Sequence, residues 1–127
     1  MNTAAAQLEQ SIYDYLDAFN TGKLDQVVDA YTDDAVNHPP IGPAEVRGKR
    51  KLRQYFRQTF ELNRPEISDY QMDYQIQEDR AVIRENWTVT FRPSTRPASS
   101  HRGQAIWSAH YIDGSWKTHW LIGKLLD

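Results

Sequence analysis

A chain of 127 residues is one domain's worth of polypeptide, and residues 1–127 read as a single unit with no linker or internal repeat. Its 39% hydrophobic and 12% aromatic residues suffice for a packed core, and 25% charged residues keep the surface wetted, which excludes global disorder. Fifteen basic against seventeen acidic residues leave a net charge of −2 and no drive toward nucleic acid or an anionic membrane, while zero cysteines exclude disulfides, thiol nucleophiles and cysteine metal sites.

The opening Met1-Asn2-Thr3-Ala4-Ala5-Ala6-Gln7 is neither basic nor followed by an apolar run, and no stretch approaches membrane-spanning length. A cytoplasmic protein is expected. Leu8, Ile12, Tyr15, Leu16 and Phe19 recur at three- and four-residue steps, the apolar stripe of an amphipathic helix. Gly22 is placed to close it in the left-handed conformation. Leu24, Val27, Val28 and Tyr31 mark a second, short helix. Thr32-Asp33-Asp34 reads as a polar turn before a brief extended piece, Ala35 to His38. Pro39, Pro40, Gly42 and Pro43 then impose a stiff loop. A third helix opens near Gly48 with Leu52, Tyr55, Phe56, Thr59 and Phe60 on its buried side. Its basic run, Arg47 to Arg57, reads as a solvated face balanced by Asp25, Asp29, Asp33 and Asp34.

Beyond Pro65 the period falls to two. Tyr70, Met72, Tyr74 and Ile76 alternate with polar residues, and after a turn at Glu78-Asp79-Arg80 so do Ala81, Ile83, Glu85, Trp87, Val89 and Phe91. Arg92 to Ser100, with two prolines, reads as a loop, either a lid or a plain connector. A third strand is expected from about Gln104 to Ile112, an Asp113-Gly114 hairpin follows, and a fourth strand returns over Ser115 to Lys124. Helices followed by a meander predict an α+β fold with the helices on one concave sheet face.

Glu85 is the candidate that the pattern itself singles out. Period two points its carboxyl to the same side as Ala81, Ile83, Trp87 and Val89, where burial would raise its pKa into the range of an acid or base near neutrality. The alternatives are an arginine partner such as Arg84, Arg92 or Arg102 at a sheet edge, or a register slip at a bulge. Metal is not expected, because no histidine or carboxylate spacing matches a ligand motif, and no glycine-rich loop suggests a nucleotide.

The segments Tyr15-Leu16-Asp17-Ala18-Phe19-Asn20-Thr21-Gly22-Lys23-Leu24-Asp25, Tyr31-Thr32-Asp33-Asp34-Ala35-Val36, Arg47-Gly48 and Lys117-Thr118-His119-Trp120 carry a resemblance. The chain resembles the nuclear-transport-factor-2-like superfamily, specifically its SnoaL-like and ketosteroid-isomerase-like members. The resemblance spans nearly the whole chain. It implies a cystatin-like cone: a curved antiparallel sheet wrapped around a long first helix, with two further helices and an apolar pocket at one end. It places Tyr15 at an oxyanion-binding tyrosine, His38 at a general base, Ser108 at a neutral acid and Phe56 at the tyrosine supporting the first. It also turns the face of Ile106, Ser108, His110, Ile112, Trp116, Trp120 and Ile122 inward, making His110 an acid/base partner, a ligand-orienting donor or a hydrogen-bonded core histidine. Tyr55, Phe56, Trp87, Ser108 and Trp120 would then line the pocket. Trp107, Tyr111 and Leu121 would lie outside and pair two copies back to back.

Two functions follow from that picture. One is a cofactor-free isomerase, cyclase or dehydratase acting through His38, Tyr15, Glu85 and His110 on a small, mostly apolar substrate. The other is a noncatalytic ligand-binding or dimeric assembly module on the same scaffold.

Overall fold

The computed structural model describes residues 3–127; Met1 and Asn2, at the head of the opening stretch, lie outside the described residues. Three helices, α1 (Ala4–Asn20), α2 (Leu24–Asp29) and α3 (Lys49–Asn63), accompany six strands. These are β1 (Tyr31–His38), β2 (Val46–Arg47), β3 (Glu66–Gln77), β4 (Arg80–Phe91), β5 (Ser99–Ile112) and β6 (Ser115–Leu125). They form one curved sheet in the order β2-β1-β6-β5-β4-β3. The pairing is antiparallel except between β1 and β6, which run parallel.

Local chemistry sets the helix ends. The Thr3 hydroxyl accepts from the Ala6 N–H at 3.0 Å and caps α1. At the other end Gly22 takes φ +67, so that its own N–H reaches Phe19 O and the Lys23 N–H reaches Ala18 O. The Asn20 side chain then both donates to Ile67 O and accepts from Ile67 N, at 2.9 and 2.7 Å, stitching the end of α1 to β3. Arg64, left-handed at φ 43 before Pro65, stops α3.

The core falls into two blocks either side of a hollow. Leu8 and Ile12 of α1 pack on Ala81, Ile83, Ala109 and Trp116 of the sheet, and burial of each large apolar side chain contributes about 1.5–3 kcal/mol. Ala18, Val27, Val28, Tyr31, Leu52 and Phe56 join the three helices to β1. A smaller group, Trp87, Val89 and Ala105, lines the sheet at its open end.

The strands depart from the expected pattern in three places. First, Thr32-Asp33-Asp34 is not a turn: β1 runs from Tyr31 through His38, so Tyr31 is a strand residue rather than the end of α2. A register shift against β6 between Tyr31 and Val36 lets Asp33 and Asp34 face water without breaking the strand. Second, β5 begins at Ser99, leaving a shorter connection of residues 92–98. Third, the faces of β5 and much of β6 are reversed. Cross-strand partners share a face, and Ile83 pairs with Trp107, Glu85 with Ala105 and Trp87 with Gly103. Trp107, Ala109 and Tyr111 therefore point toward the helices, while Ile106, Ser108, His110 and Ile112 point away. In β6, Trp116 and Thr118 face inward, but Ser108 pairs with Trp120 and Ala109 with Thr118, leaving His119 as the extra residue of a bulge. The bulge moves the later residues over by one, so Leu121 faces inward and Trp120 and Ile122 outward.

Those reversals correct the back-to-back surface expected from Trp107, Tyr111 and Leu121. All three pack against the inner clusters. The basic run of α3 behaves as expected: Arg53 pairs with Asp25 at 2.5 Å and Lys49 with Asp33 at 3.5 Å, both at the surface.

Candidate active site

Between α1, α3 and the concave face of the sheet lies a cavity of about 260 Å³, with a smaller one of about 70 Å³ deeper under α1. Tyr15, Tyr31 and Glu85 border both. The larger cavity opens beside residues 39–43, a bent segment stiffened by three prolines, whose Ile41 carbonyl accepts from the Tyr55 hydroxyl at 3.1 Å. Phe19, Phe56, Trp87 and Val89 make most of its wall apolar.

Tyr15 projects from the inner stripe of α1 and meets Tyr31 from the first residue of β1, their hydroxyl oxygens 2.9 Å apart. Two hydroxyls carry two hydrogens, and their mutual bond uses one. The second remains for an acceptor in the cavity. Burial, reinforced by the nearby Glu85 carboxylate, raises the pKa of both phenols, so they stay protonated donors at neutral pH.

Glu85 comes from the middle of β4, where the alternation that buries Ile83 and Trp87 also turns its carboxyl inward. Burial pushes its pKa upward; hydrogen bonds from Tyr70, Trp107 and Trp87 pull the other way without cancelling that effect. Tyr70 donates to one carboxyl oxygen and the Trp87 indole to the other, the latter at 3.3 Å. A carboxylate offers about four lone-pair positions, so these bonds and the contribution of Trp107 orient it and still leave capacity for a proton. Gly103 completes the arrangement. A Cβ there would run into the six-membered ring of Trp87, which lies across the strand at that position.

The cavity thus brings together a largely apolar wall, a carboxyl with its pKa raised and a paired phenol donor. The family model described as a SnoaL-like domain matches residues 12–119. The chain belongs to the SnoaL-like family. No curated protein shows a sequence match to it. Among solved structures it is similar to a ketosteroid isomerase-like protein from Erwinia carotovora atroseptica, with 24% identity, a TM-score of 0.82 and coverage of 100% of this chain and 99% of that one. It is also similar to a candidate scytalone dehydratase from Novosphingobium aromaticivorans, at 16% identity, TM-score 0.80 and coverage of 95% and 83%. A candidate calcium/calmodulin-dependent protein kinase II association domain from Xanthomonas campestris matches at 17% identity and TM-score 0.83, over 98% and 89% of the two chains. At these identities the likeness shows a shared fold.

Within this SnoaL-like domain the expected site residues separate into two groups. Tyr15, Tyr55, Phe56, Glu85 and Trp87 border the cavity. His38, Ser108, His110 and Trp120 do not. His38 lies beside Ile122 in the β1–β6 register, its ring 6.5 Å from Trp120 and its Nδ1 3.0 Å from the Ala44 carbonyl. His110 stacks on His119 at 4.3 Å, also on the convex face. No residue of the 92–98 connection borders the cavity, whereas residues 39–43 do.

Groups of the kinds that the resemblance looks for border the cavity on other residues. Phe56, at the position of the family's supporting tyrosine, has no hydroxyl; the hydroxyl bonded to that of Tyr15 belongs to Tyr31, against which Phe56 packs at 5.8 Å between ring centres. Ser108, at the position of the family's acid, carries no carboxyl and faces away from the helices, and the carboxyl bordering the cavity is that of Glu85. The residue at the end of β1 that turns inward is Asn37, not His38. Sequence reasoning misses Tyr31, Tyr70 and Asn37 as polar site residues. Tyr31 is legible as a buried aromatic, but its polar role depends on a meeting across sixteen residues that no local pattern displays.

Proposed function

We propose that the chain is a cofactor-free acid/base enzyme, an isomerase or dehydratase in type, acting on a small apolar substrate with an enolisable carbonyl. The observation that carries this reading is Glu85, a carboxyl buried in an apolar cavity beside a tyrosine pair with one hydrogen to spare. In its ionised form Glu85 takes a proton from the carbon next to the carbonyl. The C–H electrons move into the enolate, and the developing charge on oxygen is met by the free phenol hydrogen of Tyr15 or Tyr31. Glu85, now protonated, delivers that proton either to another carbon, giving an isomer, or to a departing hydroxyl, giving water and an alkene. Glu85 thus holds the role expected of His38 and His110, whose rings are turned away from the cavity.

The test works with simple ketones and does not require the natural substrate. Cyclic and aryl ketones are incubated with the protein in deuterium oxide, and α-proton exchange is followed by NMR. The wild type should accelerate exchange for at least one ketone, and Glu85→Gln should abolish the acceleration. Exchange unaffected by Glu85→Gln would overturn the reading. Binding of the ketones without any exchange would favour a noncatalytic ligand-binding module instead.

We also propose a homodimer, through the outer face that the strand register defines. Val82 and Ile122 are 45% and 39% exposed. Val82, Ser108, Trp120 and Val36 follow one another across four adjacent strands, a largely apolar band of the kind that marks an interface. Sedimentation should report a dimer that Ile122→Glu converts to monomer. The cytoplasmic setting expected from the composition belongs to the same proposal.

A further inference from the structure

Glu85 owes one of its donors to an irregularity on the neighbouring strand. At the start of β3 the Asn20 carboxamide holds the Ile67 backbone, donating to its carbonyl and accepting from its N–H. Ile67 pairs with Val89, and both border the larger cavity. Continued without interruption, that ladder would set Tyr70 against Asn86 and turn its ring to the convex face. Instead the register moves by one between Ser68 and Gln71, so that Asp69 and Tyr70 together oppose Trp87. Met72 then stands opposite Glu85, and Tyr70, two residues before it on the same face, reaches diagonally across the strand pair to the carboxyl. The extra residue is accommodated at Asp69, exposed and left-handed at φ 51, a conformation that aspartate and asparagine tolerate and β-branched residues resist. Trp87, the residue opposite the bulge, is another donor to Glu85. The bulge thus sets two donors around one carboxyl.

We infer that Tyr70 is a positioning residue for Glu85, aimed by the left-handed bulge at Asp69, and that this placement sets the pH range over which the carboxyl serves as a base. The inference rests on the acid/base reading and specifies how its base is held and tuned. Burial and the nearby Glu85 charge raise the pKa of Tyr70, with a smaller push from Tyr13 of α1, so the phenol keeps its hydrogen and donates. Its bond favours the ionised carboxyl, and among the bonds that offset burial it comes first, ahead of Trp107 and Trp87. The other titratable groups facing that space, Tyr15 of α1 and Tyr31 of β1, stay protonated as well.

Two readouts test it: a carbon-13 titration of the glutamate carboxyls, in which the Glu85 signal is the one missing from Glu85→Gln, and the pH profile of ketone exchange. Tyr70→Phe keeps the ring and removes the donor. The Glu85 titration should move upward, and exchange below its midpoint should fall about tenfold. KM for the ketone should stay within about twofold, because Tyr70 borders the smaller cavity and not the larger. Asp69→Val should move the titration in the same direction with the Tyr70 hydroxyl still present, and adding Tyr70→Phe to it should move it no further than Tyr70→Phe alone. Asp69→Asn also removes the charge but accepts left-handed backbone, and should keep the wild-type titration. Should Asp69→Val fail to fold, Asp69→Ala, with a milder backbone penalty, carries the same expectation. A titration unmoved by Tyr70→Phe, one at the wild-type value in the valine or alanine variant, or one moved equally by Asp69→Asn would each overturn the inference. The carboxyl titration needs no ketone. Absent exchange with these shifts intact would therefore defeat the acid/base reading alone, and Glu85-dependent exchange with an unmoved titration would defeat this inference alone.

Discussion

The two faces of one sheet carry similar ionisable chemistry to opposite ends. On the concave face Glu85 sits among Trp87, Tyr70 and the Tyr15–Tyr31 pair, and burial drives its pKa up. On the convex face His110 and His119 stack in partial contact with water, with Asp34, Asp79 and Arg80 around them. Burial lowers the pKa of His110, and the neighbouring charges of Arg80 and His119 lower it further while Asp79 and Asp34 oppose them. Both shifts favour the neutral form, yet only Glu85 has an enclosed space in front of it where a substrate can stand. Proximity to a cavity, more than residue type, separates a catalytic candidate from a surface cluster.

The largest effect expected from breaking this contrast is on the concave side. Glu85→Gln should reduce turnover of an exchanging ketone by about 100- to 10,000-fold, the usual contribution of a positioned proton-transfer group. The wild-type rate should climb with pH through an apparent pKa above the ordinary glutamate value of 4.5, because the base works only when ionised. Stability should run the other way. A carboxyl whose folded pKa is raised binds more protons folded than unfolded, so the protein should lose stability as pH rises from 4.5 through the folded pKa. Urea titrations across that range should show the slope in the wild type and its loss in Glu85→Gln.

Tyr15→Phe comes next. Removing a single oxyanion donor costs about 100- to 1,000-fold where nothing replaces it. Here Tyr31 is within 2.9 Å and gains a free hydrogen once its partner hydroxyl is gone, so we expect a loss nearer the low end, about 100-fold or less. The Tyr15→Phe/Tyr31→Phe double variant should lose more than the product of the two single losses, because each phenol covers for the other until both are gone. Steady-state rates on the same ketone measure both. A smaller effect, on stability, is expected from Gly103→Ala. Its Cβ would push the Trp87 ring from its place over β5 and cost about 1–3 kcal/mol by overpacking. It should also loosen the Trp87–Glu85 bond and slow exchange, which urea denaturation and NMR would report separately.

How much of this is legible in the sequence depends on whether the information is local. The stripe Leu8, Ile12, Tyr15 points α1 toward the core, and the alternation through Ala81, Ile83, Glu85 and Trp87 is enough by itself to turn a carboxyl into the fold. Both patterns run unbroken over several residues. Legibility ends where a bulge or a strand pairing intervenes. The extra residue at His119 reverses the faces of Trp120 and Leu121, and a single unbroken period of two across β6 misassigns both. On β5 both alternating sets contain bulky apolar residues, so Trp107 and His110 exchange faces unless the pairing of Ile83 with Trp107 is known. At the end of β1 the same one-residue step separates Asn37 from His38, and it decides which of them borders the cavity.

The convex face offers the smallest effects and the sharpest control. Replacing His110 by Gln should leave ketone exchange within about twofold, since it removes nothing that faces the cavity. Its signature lies in the pH dependence of stability, opposite in sign to that of Glu85. A histidine whose folded pKa is depressed binds fewer protons folded than unfolded. Its contribution is therefore present above the unfolded value of 6.5 and is lost as pH falls through 6.5 toward the folded pKa. The wild type should accordingly soften on acidification in that window and His110→Gln should not, although Asp34, whose carboxyl is held below its ordinary value first by the Thr32 hydroxyl, keeps its own acid-side dependence at lower pH. Burial leads at both sites, but the charges of Arg80 on β4, Asp79 in the turn before it, His119 on β6 and Asp34 on β1 also act on His110. Glu85 has only hydrogen-bond partners beside burial, so added salt should weaken the response of His110 more. Salt-insensitive behaviour on the convex side together with salt-sensitive behaviour on the concave side would invert the assignment of the two faces.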